Sequence, residues 1–240
     1  MNKLNPGVAL IPGGTRGIGR SIALSLAEDG WGVALAYQGD EISADKTRHD
    51  LEALDAHFSL CRTNLESAEN ARAFVAEALC RWGKIDALIN TLGVFQRQPL
   101  LEETPESWRK VWASNVDAVF YLCQAAATPM KQHGKGRIIN FGVVNAESAP
   151  FTVGAHHLAK AAVANLSRCL AQGLAPDGIT VNTLRLGFFE DGVTLPTAPI
   201  IPARRLGRHE EVVGAVRYLL SEDAAYVNGA EIAISGGWGL

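Results

Sequence analysis

The chain has 240 residues, 48% of them apolar and 20% charged, and a formal net charge of −3. That balance belongs to a globular protein with one large core, too short for two ordinary domains, and it excludes a disordered chain. It also gives no electrostatic footprint for nucleic acid or an anionic membrane surface. No apolar run reaches the roughly 18–20 residues that a membrane-spanning helix needs. Met1 to Gly7 carry no apolar signal-peptide core, so no leader is expected and the reading is cytoplasmic. Cys61, Cys80, Cys123 and Cys169 form no C-x-x-C pair, which argues against a zinc knuckle, a thioredoxin-type site or any metal centre. Buried free thiols in a reducing compartment are expected.

Apolar runs alternate with helix-period stretches along the whole chain. Strands are expected at 7–11, 32–37, 57–61, 85–90, 137–141, 179–186 and 231–235. Between them the spacing predicts helices at 17–29, 41–54, 67–82, 154–174 and 208–221. The first is expected to bury Ile18, Ile22, Leu24 and Leu26, the third Ala71, Phe74, Val75 and Leu79. Thr104 and Pro105 open a further long helix that runs to about His133, with Thr at the cap and Pro at the first helical position. Near-continuously apolar strands joined by helices of a dozen residues imply parallel pairing with helices on both faces. The reading is one α/β domain over 1–240, with no internal repeat. Only about 188–205 lacks a period, and it follows the C-terminal end of a strand, where open parallel sheets bind ligands. Its Phe188, Phe189, Leu195, Ile200 and Ile201 fit an apolar substrate or plain lid packing.

Strand one runs into Pro12-Gly13-Gly14-Thr15-Arg16-Gly17-Ile18-Gly19. Glycines there let the chain turn sharply and bring backbone N–H groups to a pyrophosphate at the positive end of a helix. A tight turn kept for packing reads the same way. Leu35-Ala36-Tyr37-Gln38, ending strand two, has no acid for a ribose hydroxyl, and Arg16 lies inside the turn. Both favour NADP(H) over NAD(H), unless Arg16 is only a solvated charge.

On these residues the chain resembles the short-chain dehydrogenase/reductase family over essentially its whole length, in particular its 3-oxoacyl-acyl-carrier-protein reductase branch. Gly13-x-x-x-Gly17-Ile18-Gly19 resembles the family's cofactor turn, and Thr63-Asn64-Leu65 its adenine-contacting segment. Asp86-Ala-Leu-Ile-Asn90-Thr-Leu-Gly93 resembles its Asn-Asn-Ala-Gly strand, and Trp112-Ala-Ser-Asn115-Val116 the helix with its structural asparagine. Gly136-Arg-Ile-Ile-Asn140 resembles strand five, and Lys160-Ala-Ala-Val163 the surroundings of its lysine. The stretches 201–207 and 229–237 resemble the C-terminal run. The resemblance implies a doubly wound, Rossmann-type, seven-stranded parallel sheet with helices on both faces. It also implies homodimers or homotetramers through two long helices and the last strand. The cofactor contacts it implies are Gly13, Thr15, Arg16, Gly17, Ile18, Gly19, Asn64, Leu65, Asn90, Gly93 and Lys160.

The family's chemistry uses Tyr, Lys, Ser and Asn. Asn115 and Lys160 match, but His156 stands at the Tyr position and Val143 at the Ser position. Val143 cannot donate a hydrogen bond, and no replacement donor is evident nearby. Lys160 would disfavour a protonated His156 by like-charge repulsion, and His157 points about 100° away on an ideal helix. Alternatively, His156 is a polar residue lining a vacated cleft. Pro12, Thr91-Leu92 and Leu186-Gly187 also depart from the pattern, and Asp191 falls near a family threonine. Three readings stay open. The first is an NADP(H)-linked, 3-oxoacyl-reductase-like oxidoreductase with an altered site, acting on a small molecule or acyl thioester. The second is a degraded nucleotide-binding or assembly subunit. The third is a dehydratase or isomerase using His156 as base.

Overall fold

The computed structural model describes residues 4–148, 151–192 and 200–240. The middle of the expected lid loop, with Leu195, Pro196 and Pro199, lies outside the described residues, as do Met1 to Lys3 of the leader reading. In chain order the strands are β1 (Val8–Pro12), β2 (Gly32–Tyr37), β3 (Phe58–Arg62), β4 (Ala87–Asn90), β5 (Gly136–Val143), β6 (Ile179–Leu186) and β7 (Glu231–Ile234). The helices are α1 (Gly17–Glu28), α2 (Glu41–Ala53), α3 (Ala68–Trp82), α4 (Pro105–Trp112), α5 (Ala118–His133), α6 (Gly154–Leu174) and α7 (His209–Leu220). All strand pairs are parallel, in the order β3-β2-β1-β4-β5-β6-β7.

Strand alternation sends successive side chains to opposite layers. Leu10, Leu88, Ile138 and Val181 pack beneath α3, α5 and α6. Ala9, Ile11, Ile89, Ile139 and Leu184 pack beneath α1 and α7. Ile22 and Leu26 of α1 are fully buried there, while Ile18 and Leu24 are only partly covered. Each fully buried Leu or Ile stabilises the fold by about 2 kcal/mol. The sheet reverses its order between β1 and β4, which opens a crevice beyond the strand C-termini.

One expectation is refined and one is corrected. The helix opened by Thr104 does run to His133, but through a π-turn. Thr104 caps it, accepting from Ser107 N at 3.1 Å, and the π-turn at Ala113–Asp117 lies between α4 and α5. The wider turn leaves helix carbonyls to side chains: Ser114 Oγ donates to Lys110 O at 2.8 Å, and Asn115 Nδ2 to Val111 O at 3.0 Å. The thiols are not all buried. Cys123 is, and burial pushes its pKa up to about 12, but Cys80 and Cys169 are exposed and Cys61 is intermediate. Apolar residues on outward-facing helix positions are common, and small thiols are no exception.

Candidate active site

At the end of β1 the chain folds back under itself. Gly13 and Gly17 adopt φ of +83° and +51°, which side-chain-bearing residues rarely take. Thr91 Oγ1 donates to Pro12 O at 2.8 Å, and a Cβ on Gly19 would sit 2.5 Å from that hydroxyl oxygen. Helix α1 therefore starts hard against the sheet. Unlike α2, α3 and α4, it has neither a side-chain cap nor an acid in its first turn. Its free N–H groups face the crevice, an arrangement that suits a pyrophosphate. The residues present thus fit a dinucleotide.

One cavity of about 1440 Å³ runs along the C-terminal edge of the sheet. Its outer end is walled by Arg16, Tyr37, Asp40, Asn64, Leu65 and Glu66. Leu35 to Gln38 hold no acid, but Asp40, two residues beyond, comes onto the wall. Its carboxylate is already engaged. Oδ1 accepts from Ser43 N at 3.1 Å as the cap of α2, and Oδ2 lies 3.7 Å from Arg16 Nη1. The bond from Ser43 holds its pKa below the usual carboxylate value.

The inner end is organised by the loop after β4. Gly93 has φ +142°, and a Cβ there would fall 2.2 Å from Asn115 Oδ1 and 3.0 Å from Lys160 Nζ. Lys160 Nζ donates to Leu92 O at 3.2 Å, and Asn115 Nδ2 to Val94 O at 3.1 Å. His156 Nδ1 lies 3.3 Å from the same Val94 carbonyl. A carbonyl only accepts, so Nδ1 carries the hydrogen and Nε2 keeps a lone pair. Burial, then Lys160 and His157, push the His156 pKa down to about 3, and burial brings Lys160 down to about 8. At neutral pH the imidazole is neutral and presents an acceptor. Hydrogen-bond donation to a carbonyl oxygen is not available from that nitrogen.

Gly13, Thr15, Arg16, Gly17, Ile18, Gly19, Asn64, Leu65, Gly93, Val143, His156 and Lys160 all border the cavity. Asn115 does not. It is buried behind Gly93, and its Oδ1 has no hydrogen-bond partner among the described residues. Asn90 is a second correction: its parity on β4 is that of Leu88, so it turns toward α5 and donates to Asn140 Oδ1 at 2.7 Å. Asn140 in turn donates to Ser167 Oγ at 2.8 Å, which makes this a core network.

Both His156 and His157 reach the cavity, their ring centroids 5.9 Å apart. His157, expected to point away from His156, lines the same cavity, both residues lying in the first turn of α6. Asn145 also lines the wall, in a left-handed conformation with φ +54°. Phe188 packs on Trp238 with centroids 4.3 Å apart, whereas Phe189 and Ile201 are buried in packing. Asp191 accepts from His209 Nε2 or pairs with it at 2.6 Å, and its other oxygen lies 3.3 Å from where a Cβ on Gly17 would stand. Asn145 lies two residues past the end of β5, and no pattern in the sequence marks it as a wall residue.

Among the described residues no three His, Cys, Asp or Glu are placed to hold a metal ion, and no helix is long and apolar enough to cross a membrane. The family model described as enoyl-(acyl carrier protein) reductase matches residues 13–239. The 3-oxoacyl-[acyl-carrier-protein] reductase FabG of Staphylococcus aureus is 33% identical over 239 residues, covering 95% of this chain and 96% of that protein. A solved structure from Sinorhizobium meliloti, described provisionally as a short-chain alcohol dehydrogenase, superposes with a TM-score of 0.91 at 27% identity, over 97% of this chain and 96% of the other. Acetoin dehydrogenase from Enterobacter cloacae gives 0.88 at 29% identity, over 97% and 95%. With a parallel seven-stranded sheet, a glycine turn at its switch point and a match across nearly its whole length, this chain belongs to the short-chain dehydrogenase/reductase family of oxidoreductases.

Proposed function

We propose that this chain is an NADP(H)-linked oxidoreductase on the 3-oxoacyl-reductase plan, acting on a carbonyl compound or acyl thioester through a non-standard site. The observation that carries the reading is the single cavity joining the uncapped α1 turn to Lys160 and His156. A reduced nicotinamide bound there would supply the hydride. Gly13, Thr15, Gly17, Ile18 and Gly19 would hold the pyrophosphate, and Asn64 and Leu65 the adenine end. Arg16 favours the phosphorylated cofactor: three-quarters of its side chain is exposed at the rim, and the nearby Asp40 is spent on a helix cap and on Arg16 itself. Lys160 is held in place through Leu92 O, and Asn115 pins the loop between them.

What differs from the family plan is the proton. With Val143 apolar and His156 donating to Val94, the usual acid is missing. Reduction of a standard β-ketoacyl thioester is therefore expected to be slow. Calorimetric titration tests the first half of the reading. NADPH is expected to bind at micromolar concentration and NADH much more weakly, and Arg16→Ala is expected to weaken NADPH about 10-fold while leaving NADH unchanged. Equal binding of both cofactors would remove Arg16 from its role, and no binding of either would end the redox reading.

The lone pair on His156 Nε2 favours one second reading, a dehydratase or isomerase in which His156 takes a proton from the substrate. Product formation from a β-hydroxyacyl thioester without any nicotinamide would select it.

A further inference from the structure

The cavity lacks a hydroxyl at Val143, yet one polar group stands two residues farther on. Asn145 leaves β5 in the left-handed region, which Asn tolerates better than most residues. The turn that follows fixes it: its carbonyl accepts from Ser148 N at 3.0 Å and Ser148 Oγ at 2.8 Å. The C-terminal tail packs behind, close enough that a Cβ on Gly239 would meet Asn145 Cβ at 3.3 Å. The side chain is also held. His157 Nδ1 lies 3.2 Å from Val153 O, and a carbonyl accepts, so that nitrogen carries the hydrogen. His157 Nε2 then offers a lone pair 3.3 Å from Asn145 Oδ1, which would set two acceptors face to face. A carboxamide can turn by 180° about its last bond, and the lone pair selects the orientation with NH2 toward His157. One N–H serves the imidazole. Among the described residues no protein group takes the other, and Asn145 borders the cavity beside Val143. Thr152 also borders it, but no hydrogen bond anchors its hydroxyl among the described residues.

We propose that the Asn145 carboxamide, positioned by His157, donates to the substrate's carbonyl oxygen the hydrogen bond that Val143 cannot give. This deepens the oxidoreductase reading and rests on it. As hydride adds to the carbonyl carbon, the π pair of the C=O bond moves onto oxygen. The Asn145 N–H faces that growing charge and keeps its proton. The proton that completes the alcohol comes from water in the natural chain, and from the phenol where His156 is replaced by Tyr. Asn145 is the residue in contact with substrate, and His157 is a positioning residue.

The test uses the full chain, NADPH and an acetoacetyl thioester. His156→Tyr alone is expected to turn over, because the second donor is already present. Adding Asn145→Ala to it is expected to lower kcat by about 10²–10³-fold, the usual effect of removing one such donor, with the KM for NADPH unchanged. Val143→Ser on top of that pair is expected to restore most of the loss, which repair of a merely structural defect would not do. His157→Phe in the same background is expected to lower kcat about 10-fold, again relieved by Val143→Ser. A readout without turnover is the NMR signal of the Asn145 amide, assigned by its absence in Asn145→Ala. It is expected to shift when the thioester is added to protein holding oxidised NADP. If His156→Tyr needs Val143→Ser to turn over, or if the Asn145 signal stays fixed while neighbouring signals move, the proposal is overturned and the redox reading survives. If no variant turns over, Val143→Ser with His156→Tyr included, both are overturned.

Discussion

His156 shows how strongly a single side chain is governed by what surrounds it. Its ring is buried beside Lys160 and donates to Val94 O, so protonation is disfavoured on every side but one. The linkage sign follows. The unfolded chain binds a proton near pH 6.5 and the folded one only near pH 3, so stability falls as pH drops below about 6.5. Between pH 7.5 and 5 this single group is expected to remove about 2 kcal/mol. Urea unfolding of His156→Phe at the two pH values should show a correspondingly smaller drop, and an identical drop in both chains would place the imidazole in water. The sequence showed the repulsion from Lys160 through their four-residue spacing. It could not show the Val94 carbonyl, 62 positions away, that settles the tautomer. Asn145 was invisible for a related reason: its role depends on a left-handed turn and on a histidine from another element.

At the scale of elements, helix and strand positions follow the apolar periodicity closely, and β2, α6 and β6 have the expected ends. The π-turn at Ala113–Asp117 does not, because it adds width without changing which residues are apolar. Its consequence is chemical. It presents Asn115 so that one carboxamide nitrogen spans Val111 O of its own helix and Val94 O of the loop after β4. Asn115→Ala is expected to destabilise the chain by about 1–3 kcal/mol and to loosen the Gly93–Val94 segment, as read by thermal melting and amide hydrogen exchange. Gly93→Ala is expected to be comparably damaging, since its Cβ would fall inside contact distance of Asn115 and the backbone φ is unfavourable for alanine. A melting temperature unchanged by either substitution would mean that this loop is not held from behind.

For the whole molecule, two layers of helices are clamped to one sheet, and α1 is joined to α7 by a buried ion pair. Arg217 Nη1 lies 2.6 Å from Asp29 Oδ2, with both side chains nearly covered. Asp29→Asn is expected to lower stability by about 1–3 kcal/mol, because it removes the charge that Asp29 sets against a nearly covered guanidinium. The alternation of elements made the layered architecture legible, but such a contact joins residues 188 positions apart and leaves no local pattern. Phe120, Leu158, Tyr218 and Tyr226 remain substantially exposed on α5, α6, α7 and the approach to β7. Sedimentation at micromolar concentration is expected to give a dimer or tetramer, and a monomer would leave those side chains without a partner.

The proposed function divides the cavity into a half that holds the nucleotide and a half altered where the proton is handed over. Turnover of an acetoacetyl thioester at saturating NADPH, compared between the natural chain and His156→Tyr, tests that division most directly. The substituted chain is expected to be faster by about 10²–10⁴-fold, the usual worth of a positioned acid. Rapid turnover by the natural chain would contradict it, and loss of that turnover on substitution would make His156 the working acid.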